Sequence, residues 1–233
     1  MQSLLPNVPA DDSSAGLIDL VVFDLGRVLM QITDDLDQAA QRAGRAGLPG
    51  FTGDLSAHTR RGGNPKVVEL LSAYEIGQVT TADYLEGIAA QVGVTPQDIA
   101  AVHDAVIVQT FAGWPALLDR LDTAAVLTAC LSNTNAAHWA TMHDPKDVCF
   151  AHLRRLNFCF ASHQIGRAKP SADAYHYVES ATRVPAERIL FFDDLDENIA
   201  AAKARGWQAI CVPRMDNPMS WIEGKLIERG VLA

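Results

Sequence analysis

Four short pieces of this chain carry side chains suited to handling a phosphate group: Asp24-Leu25-Gly26, Leu131-Ser132-Asn133-Thr134-Asn135, Lys169-Pro170 and Phe192-Asp193-Asp194. A carboxylate such as Asp24 can attack phosphorus and be freed later by water. Its plainer role, after an apolar strand, is to cap the turn that follows. Ser132 and Asn133 can hydrogen-bond phosphoryl oxygens, or simply end a strand as turn residues. Lys169 can offset the charge of a phosphate and of a nearby carboxylate, or stand in solvent before a proline that opens a helix. Asp193 and Asp194 resist a purely structural reading. Adjacent carboxylates ending Ile189-Leu190-Phe191-Phe192 repel one another unless a cation or hydrogen-bond donors hold them. Mg²⁺ suits such a pair, because it takes hard oxygen ligands and keeps waters that a phosphate can replace.

The elements that must position these residues are legible as apolar runs at Leu17 to Leu25, Ala124 to Leu131, Asn157 to Ala161, Ile189 to Phe192 and Gln208 to Val212. Such near-continuous runs belong to strands covered on both faces. Helical patterns such as Ser171 to Thr182 and Asn198 to Arg205 separate them. The alternation predicts an α/β fold: a Rossmann-like, three-layer α/β/α core around a parallel sheet. In an open sheet of this kind, residues just past the carboxyl ends of the strands converge on one site. Between Gln31 and Thr110 strand-like runs vanish, and Lys66 to Tyr74, Thr81 to Val92 and Pro96 to Gln109 carry helical apolar spacing. This predicts a helical domain over 31–110, inserted into a core of 17–30 and 111–233. Thr80 or Thr81 is expected to cap the second of these helices and Thr95 the third, with Pro96 at its first position.

Composition narrows the functional classes. At 233 residues the chain is long enough for a substantial core with an insertion. A formal charge of -9 and a pI near 5.1 argue against nucleic acid or an anionic membrane as partner, since no basic patch offsets the repulsion. Cys130, Cys149, Cys159 and Cys211 form no CxxC pair, and a cytoplasmic setting with reduced thiols fits them best. Residues 1–16 lack both a basic n-region and an apolar h-region, and read as a flexible tail. Monomer and homodimer remain equally open.

Taken in order, the motifs resemble the haloacid dehalogenase superfamily of aspartate-nucleophile hydrolases, over nearly all of Leu17 to Val212. The helical insertion directly after the first strand is similar to the cap of that superfamily's first subclass. Phe23-Asp24-Leu25-Gly26, Leu131 to Asn135, Arg167-Ala168-Lys169-Pro170, Phe191 to Asp194 with Asn198, and Tyr74 to Thr80 in the insertion look most like bacterial α-D-glucose-1-phosphate phosphatases. The resemblance implies that Asp24 is the nucleophile and a Mg²⁺ ligand, and that the Gly26 carbonyl is another ligand. It also implies that Ser132 and Asn133 hold the phosphoryl group and that Lys169 offsets charge on phosphate and nucleophile. Asp194 then binds Mg²⁺ directly, with Asp193 in support. The implied activity is Mg²⁺-dependent hydrolysis of a small phosphorylated metabolite, a sugar phosphate among the candidates. The alternatives are a metal-free 2-haloacid dehalogenase and a non-catalytic regulatory protein of the same fold.

One departure stands out. Phosphatases of the superfamily mostly carry a second aspartate two residues after the nucleophile, where this chain has Gly26. General acid–base help of that kind is worth about 10²–10⁴-fold, so its loss favours leaving groups that need little protonation. Arg27 could reach toward substrate or form an exposed ion pair, and His58, Arg60 and Arg61 could select substrate or line a solvated loop. His103-Asp104 and His143-Asp144 are weak metal-ligand candidates, and Trp139 and Trp207 read as core or rim aromatics.

Overall fold

A computed structural model describes residues 17–48 and 64–233. Five parallel strands form the central sheet in the order β5-β4-β1-β6-β7. They are β1 (Leu20–Phe23), β4 (Leu127–Ser132), β5 (Phe158–Ala161), β6 (Ile189–Asp193) and β7 (Gln208–Cys211). Alternate residues along each strand enter opposite layers. Val21, Phe23, Cys130, Leu190 and Phe192 pack with Trp114, Leu118, Ile222 and Leu226 on one face. Leu20, Val22, Ala129, Leu131 and Phe191 pack with Tyr175, Val178, Ile199 and Trp207 on the other. Both faces are therefore dry, which is why the strands read as unbroken apolar runs rather than alternating ones. Each fully buried large side chain contributes about 1.5–3 kcal/mol. The expected α/β, Rossmann-like three-layer fold is what the chain adopts.

The region between β1 and β4 holds a correction. Two short antiparallel strands, β2 (Met30–Ile32) and β3 (Ile107–Thr110), bracket the helices where no strand was expected. The helix predicted over Pro96 to Gln109 stops at Asp104, and the β-branched Val106-Ile107-Val108 passes into β3, with Ile107 buried and Gln109 exposed. Such a run fits either period, and pairing with β2 decides it. β1 is also shorter than the run of Leu17 to Leu25.

Between β2 and β3 lie α1 (Leu36–Arg42), α2 (Pro65–Glu75), α3 (Thr81–Val92) and α4 (Pro96–Asp104), packed around their own cluster of Ala39, Tyr74, Tyr84, Ile88, Ile99 and Val102. The expected caps form. Thr80 and Asp83 make a reciprocal capping box at the start of α3, and the Thr95 hydroxyl accepts from Asp98 N ahead of Pro96. Among the described residues no helix is long and apolar enough to cross a membrane.

Tyr74 and Gly77 tie this helical insertion to the sheet domain. The Tyr74 hydroxyl accepts from Ala137 N at 3.2 Å and lies 2.9 Å from Thr81 Oγ1. Gly77, at φ +71°, passes so close to the other domain that a Cβ there would stand 2.3 Å from the His163 carbonyl oxygen. Gly77→Ala is therefore expected to cost about 1–3 kcal/mol from overpacking, together with its left-handed backbone penalty. Urea denaturation checks this, and an unchanged midpoint would mean the two domains do not bear on each other at Gly77.

Candidate active site

β1 and β6 are neighbours in register, Phe23 opposite Phe192, so Asp24 and Asp193 emerge side by side at the carboxyl edge of the sheet. Backbone pairing continues one step further, with Asp24 N donating to Phe192 O at 2.8 Å. The Lys169 ammonium reaches between the two carboxylates, 2.6 Å from Asp24 Oδ1 and 2.7 Å from Asp193 Oδ2. All three side chains are nearly removed from water, at 4% exposure for Lys169, 9% for Asp24 and 0% for Asp193.

The support around this triad is built from neighbouring strands. Asn133, just past β4, accepts from Lys169 N and donates to Lys169 O, both at 2.8 Å, which fixes the lysine backbone. Asp193 takes further hydrogen bonds from Leu195 N and from Asn198 Nδ2 at 2.9 Å, and Tyr175 donates to the Asn198 carbonyl. Ser162 links the Ser132-to-Asn135 turn by bonding both Thr134 N and Thr134 O at 2.9 Å. The Lys169–Pro170 peptide is cis.

Electrostatically the site is short of positive charge. Burial pushes Asp24 up to about 7, against the pull of Lys169 and with a further push from Asp193 and Asp194. Burial also works against the Lys169 ammonium, but Asp193 and Asp24 outweigh it and hold the lysine charged, well above its ordinary range. Asp194 is raised as well, by burial and then by Asp193, while Arg27 draws it back.

A cavity of about 1030 Å³ opens over these groups and is lined by Asp24, Gly26, Ser132, Asn133, Lys169 and Asp194 at its base. Asp193 is not in its wall. Sequence analysis thus placed seven residues that do converge. Within that set the Asn133 side chain is occupied with Lys169, and Asp193 is fully buried against Lys169 and Asn198. Arg27 lines the cavity too, with a left-handed φ of 59° that is strained for a non-glycine residue. Its NH1 lies 3.7 Å from Asp194 Oδ2, and its buried Nε, without a hydrogen bond among the described residues, stands 3.9 Å from Asp34 Oδ1. His58, Arg60 and Arg61 lie outside the described residues.

Three contributors escaped sequence reasoning as working parts: Asn198, Tyr74 and Ile32. The Asn198 signal was its position five residues beyond Asp193, one turn into the helix Asp196–Ala204. Ile32 packs beside Gly26, its Cδ1 3.4 Å from where a Cβ at that position would stand, an ordinary van der Waals contact. His103 and His143 gather no ligands: His103 stacks on His138 at 3.9 Å, and His143 Nδ1 pairs with the Trp139 carbonyl.

Among the described residues, no group of three or more His, Cys, Asp or Glu side chains has metal-binding geometry. Asp24 and Asp194 nonetheless face one cavity with the Gly26 backbone between them in the wall. Two carboxylates and a carbonyl are the sparse oxygen donor set that Mg²⁺ accepts, with water and phosphate completing its shell. Burial, and after it the neighbouring carboxylates, raise Asp24 and Asp194, which a divalent cation would offset.

The fold is found among solved structures. A HAD family enzyme from Bacteroides thetaiotaomicron, solved in complex with magnesium and inorganic phosphate, is 20% identical with a TM-score of 0.67. The match covers 86% of this chain and 96% of that one. A predicted HAD-like family hydrolase from Porphyromonas gingivalis gives 21% identity and a TM-score of 0.69, over 90% of this chain and 98% of the other. An L-2-haloacid dehalogenase from Xanthobacter autotrophicus, with chloropropionic acid covalently bound, gives 21% and 0.58 over 93% and 85%. No family model and no curated protein matches the sequence. The architecture is therefore that of the HAD fold.

Asp193→Ala strips the buried Lys169 of one of its two carboxylates, and is expected to cost about 3–5 kcal/mol of stability. Asp194→Ala removes a raised, partly exposed carboxylate and is expected to change stability by less than about 1 kcal/mol; chemical denaturation of the pair checks the contrast.

Asp24 also sets a pH dependence. Its carboxyl titrates from 3.8 when unperturbed to about 7 when folded, so the ion-free protein loses stability as pH rises across that window. A divalent cation that binds the ionised form offsets the loss. The rise in melting temperature on adding Mg²⁺ is therefore expected to be larger at pH 8 than at pH 5, with an equal rise at both contradicting it.

Proposed function

We propose that the protein is a Mg²⁺-dependent phosphatase that hydrolyses a small phosphorylated metabolite through an aspartyl phosphate on Asp24, in a cytoplasmic setting. The observation that carries this reading is the buried Lys169 clamped between Asp24 and Asp193 beneath a cavity that Asp194 also faces. A carboxylate nucleophile, a fixed cation and a second carboxylate at one sheet edge are what phosphoryl transfer requires, since positioning and charge neutralisation supply most of its catalysis. The magnesium and phosphate bound by the Bacteroides HAD family enzyme support carrying this chemistry to the same fold here.

In the first step Asp24 attacks phosphorus in line with the ester oxygen. The P–O bond to the alcohol breaks, and its electron pair leaves with that oxygen, which takes a proton from solvent to become the alcohol. Lys169 stays protonated throughout, holding Asp24 in place and offsetting charge on the phosphoryl group. The Ser132 hydroxyl and the Asn133 backbone N–H, just past β4, hold the equatorial oxygens. Water then attacks phosphorus and loses a proton to solvent, the bond between phosphorus and the Asp24 oxygen breaks, and inorganic phosphate and the Asp24 carboxylate are released. Asp24, the Gly26 carbonyl and Asp194 would hold the metal, with Asp193 supporting through its grip on Lys169. Bound there, Mg²⁺ supplies Lewis-acid polarisation of the phosphoryl oxygens. The helical insertion acts as a cap that keeps bulk water from the first step.

A metal-free haloacid dehalogenase is the second reading, favoured by the Xanthobacter structure's shared fold. The crowding of Asp194 against Asp193 and Asp24 weighs against it, because a carbon electrophile gives no use for the extra negative charge. A non-catalytic regulatory protein has no need of a buried Lys169 held between two carboxylates.

Asp24→Asn is expected to lower p-nitrophenyl phosphate hydrolysis by at least about 10³-fold while leaving the denaturation profile cooperative. Exhaustive chelation of wild-type protein should do the same, reversibly on adding Mg²⁺. Hydrolysis that survives chelation, or chloride release from 2-chloropropionate without metal, would favour the dehalogenase.

A further inference from the structure

We propose that Cys130 and Cys159 form a reversible redox pair, in which a peroxide oxidises Cys159 and the neighbouring Cys130 closes a disulfide across β4 and β5. This holds whether or not the protein is a phosphatase, because neither thiol lines the cavity over Asp24.

The sheet places the two sulfurs. Cys130 and Cys159 are direct partners in the parallel pairing of β4 with β5, so their side chains leave the same face. Both pack into the layer that holds Trp139, Met142 and Leu153. Paired residues on adjacent strands stand about 4.8 Å apart, inside the span of about 4.4–6.8 Å that a disulfide bridges. β5 is also an edge strand, which leaves Cys159 half-buried while Cys130 is sealed one strand further in. One thiol meets solvent and the other lies directly behind it.

Their surroundings differ in the way such chemistry needs. The Cys130 thiol donates to Cys159, and this contact, with a further one from His143, draws Cys159 below the ordinary thiol range against the effect of its burial. The same contact, and then burial, holds Cys130 well above that range, hence protonated. His143 ends the helix Ala136–His143, where its ring stacks on Trp139 at 3.9 Å and its Nδ1 donates to the Trp139 carbonyl at 3.1 Å. An imidazole fixed beside a partly exposed thiol is the environment that makes a cysteine nucleophilic. The remaining cysteines lack it. Cys211, on the opposite edge strand, is pushed up to about 11 by burial and then by Asp196, and Cys149 lies exposed in a turn outside the sheet.

In the first step the Cys159 thiolate attacks the O–O bond of the peroxide. One oxygen stays on sulfur as a sulfenic acid, and the other leaves as hydroxide and is protonated to water, so the sulfur loses the two electrons that the peroxide gains. The Cys130 sulfur then attacks the Cys159 sulfur. An S–S bond forms, the S–O bond breaks, and the Cys130 proton departs with the hydroxyl as water. A dithiol reductant reverses the link.

The test treats the full chain with a small excess of hydrogen peroxide and follows each cysteine by alkylation and peptide mass spectrometry. The wild-type protein is expected to lose the Cys130 and Cys159 thiols together, to yield a Cys130–Cys159 linked peptide, and to recover both thiols with dithiothreitol. Cys130→Ala removes the resolving thiol, so Cys159 should then accumulate as a sulfenic acid that dimedone labels. His143→Gln should slow oxidation of Cys159 at least about fivefold, with the Cys149 rate within about twofold and cooperative urea unfolding retained. An unchanged Cys159 rate in that variant overturns the part given to His143. Oxidation of Cys149 ahead of Cys159 in the wild type, or oxidised Cys159 with no linked peptide, overturns the redox pair without recourse to any variant.

Discussion

The ammonium of Lys169, buried between Asp24 and Asp193, is the interaction on which the site depends. A lysine removed from water this far persists only because two carboxylates and fixed geometry repay its desolvation. Each part of that geometry traces to the sheet. Parallel pairing of β1 with β6 sets the two aspartates side by side, and β4, on the other side of β1, ends where Asn133 can grip the Lys169 backbone. Asn198 and Leu195 then hold Asp193 from behind, so the buried carboxylate cannot turn away from the lysine. The apolar strands thus do more than fill the core: they deliver three remote residues to one point with little freedom left.

That rigidity leaves an electrostatic imbalance facing the cavity. One lysine and a partly engaged Arg27 confront Asp24, Asp193 and Asp194, and burial makes the crowding felt as raised carboxyl titration at Asp24 and Asp194. The imbalance is what a divalent cation would relieve under the proposed function. Arg27 holds a strained left-handed backbone where glycine would be at ease, and the conformation places its guanidinium beside Asp194.

Much of this was legible in the sequence because burial on both faces writes parallel strands as continuous apolar runs, and chemistry-bearing residues follow directly at their ends. Asp24, Ser132 and Asp194 were found that way, Lys169 through its neighbouring Pro170 and the company of the other motifs, and Thr80 and Thr95 announced their helices through capping chemistry. What stayed hidden depends on long-range pairing. Val106 to Val108 satisfies either period until β2 lies beside it, and nothing local shows that the Asn133 amide turns to a lysine backbone 36 residues away. Ile32 of β2 likewise comes within van der Waals range of Gly26 only through the fold, a neighbour that the local sequence does not announce. Tyr74 and Gly77 stood out only by resemblance, and their contacts with Ala137 and His163 give the physical reason.

The central claim is that Asp24 receives the phosphoryl group and that water then attacks phosphorus. Single-turnover reaction of an aryl phosphate in heavy-oxygen water, followed by mass spectrometry of both protein and product, tests it directly. The account predicts a transient phosphate adduct on the peptide containing Asp24 and the heavy oxygen in released phosphate. Heavy oxygen built into the Asp24 carboxylate would instead mean water attacking the carboxyl carbon, and label in phosphate with no adduct on the protein would mean direct attack by water; either result contradicts it.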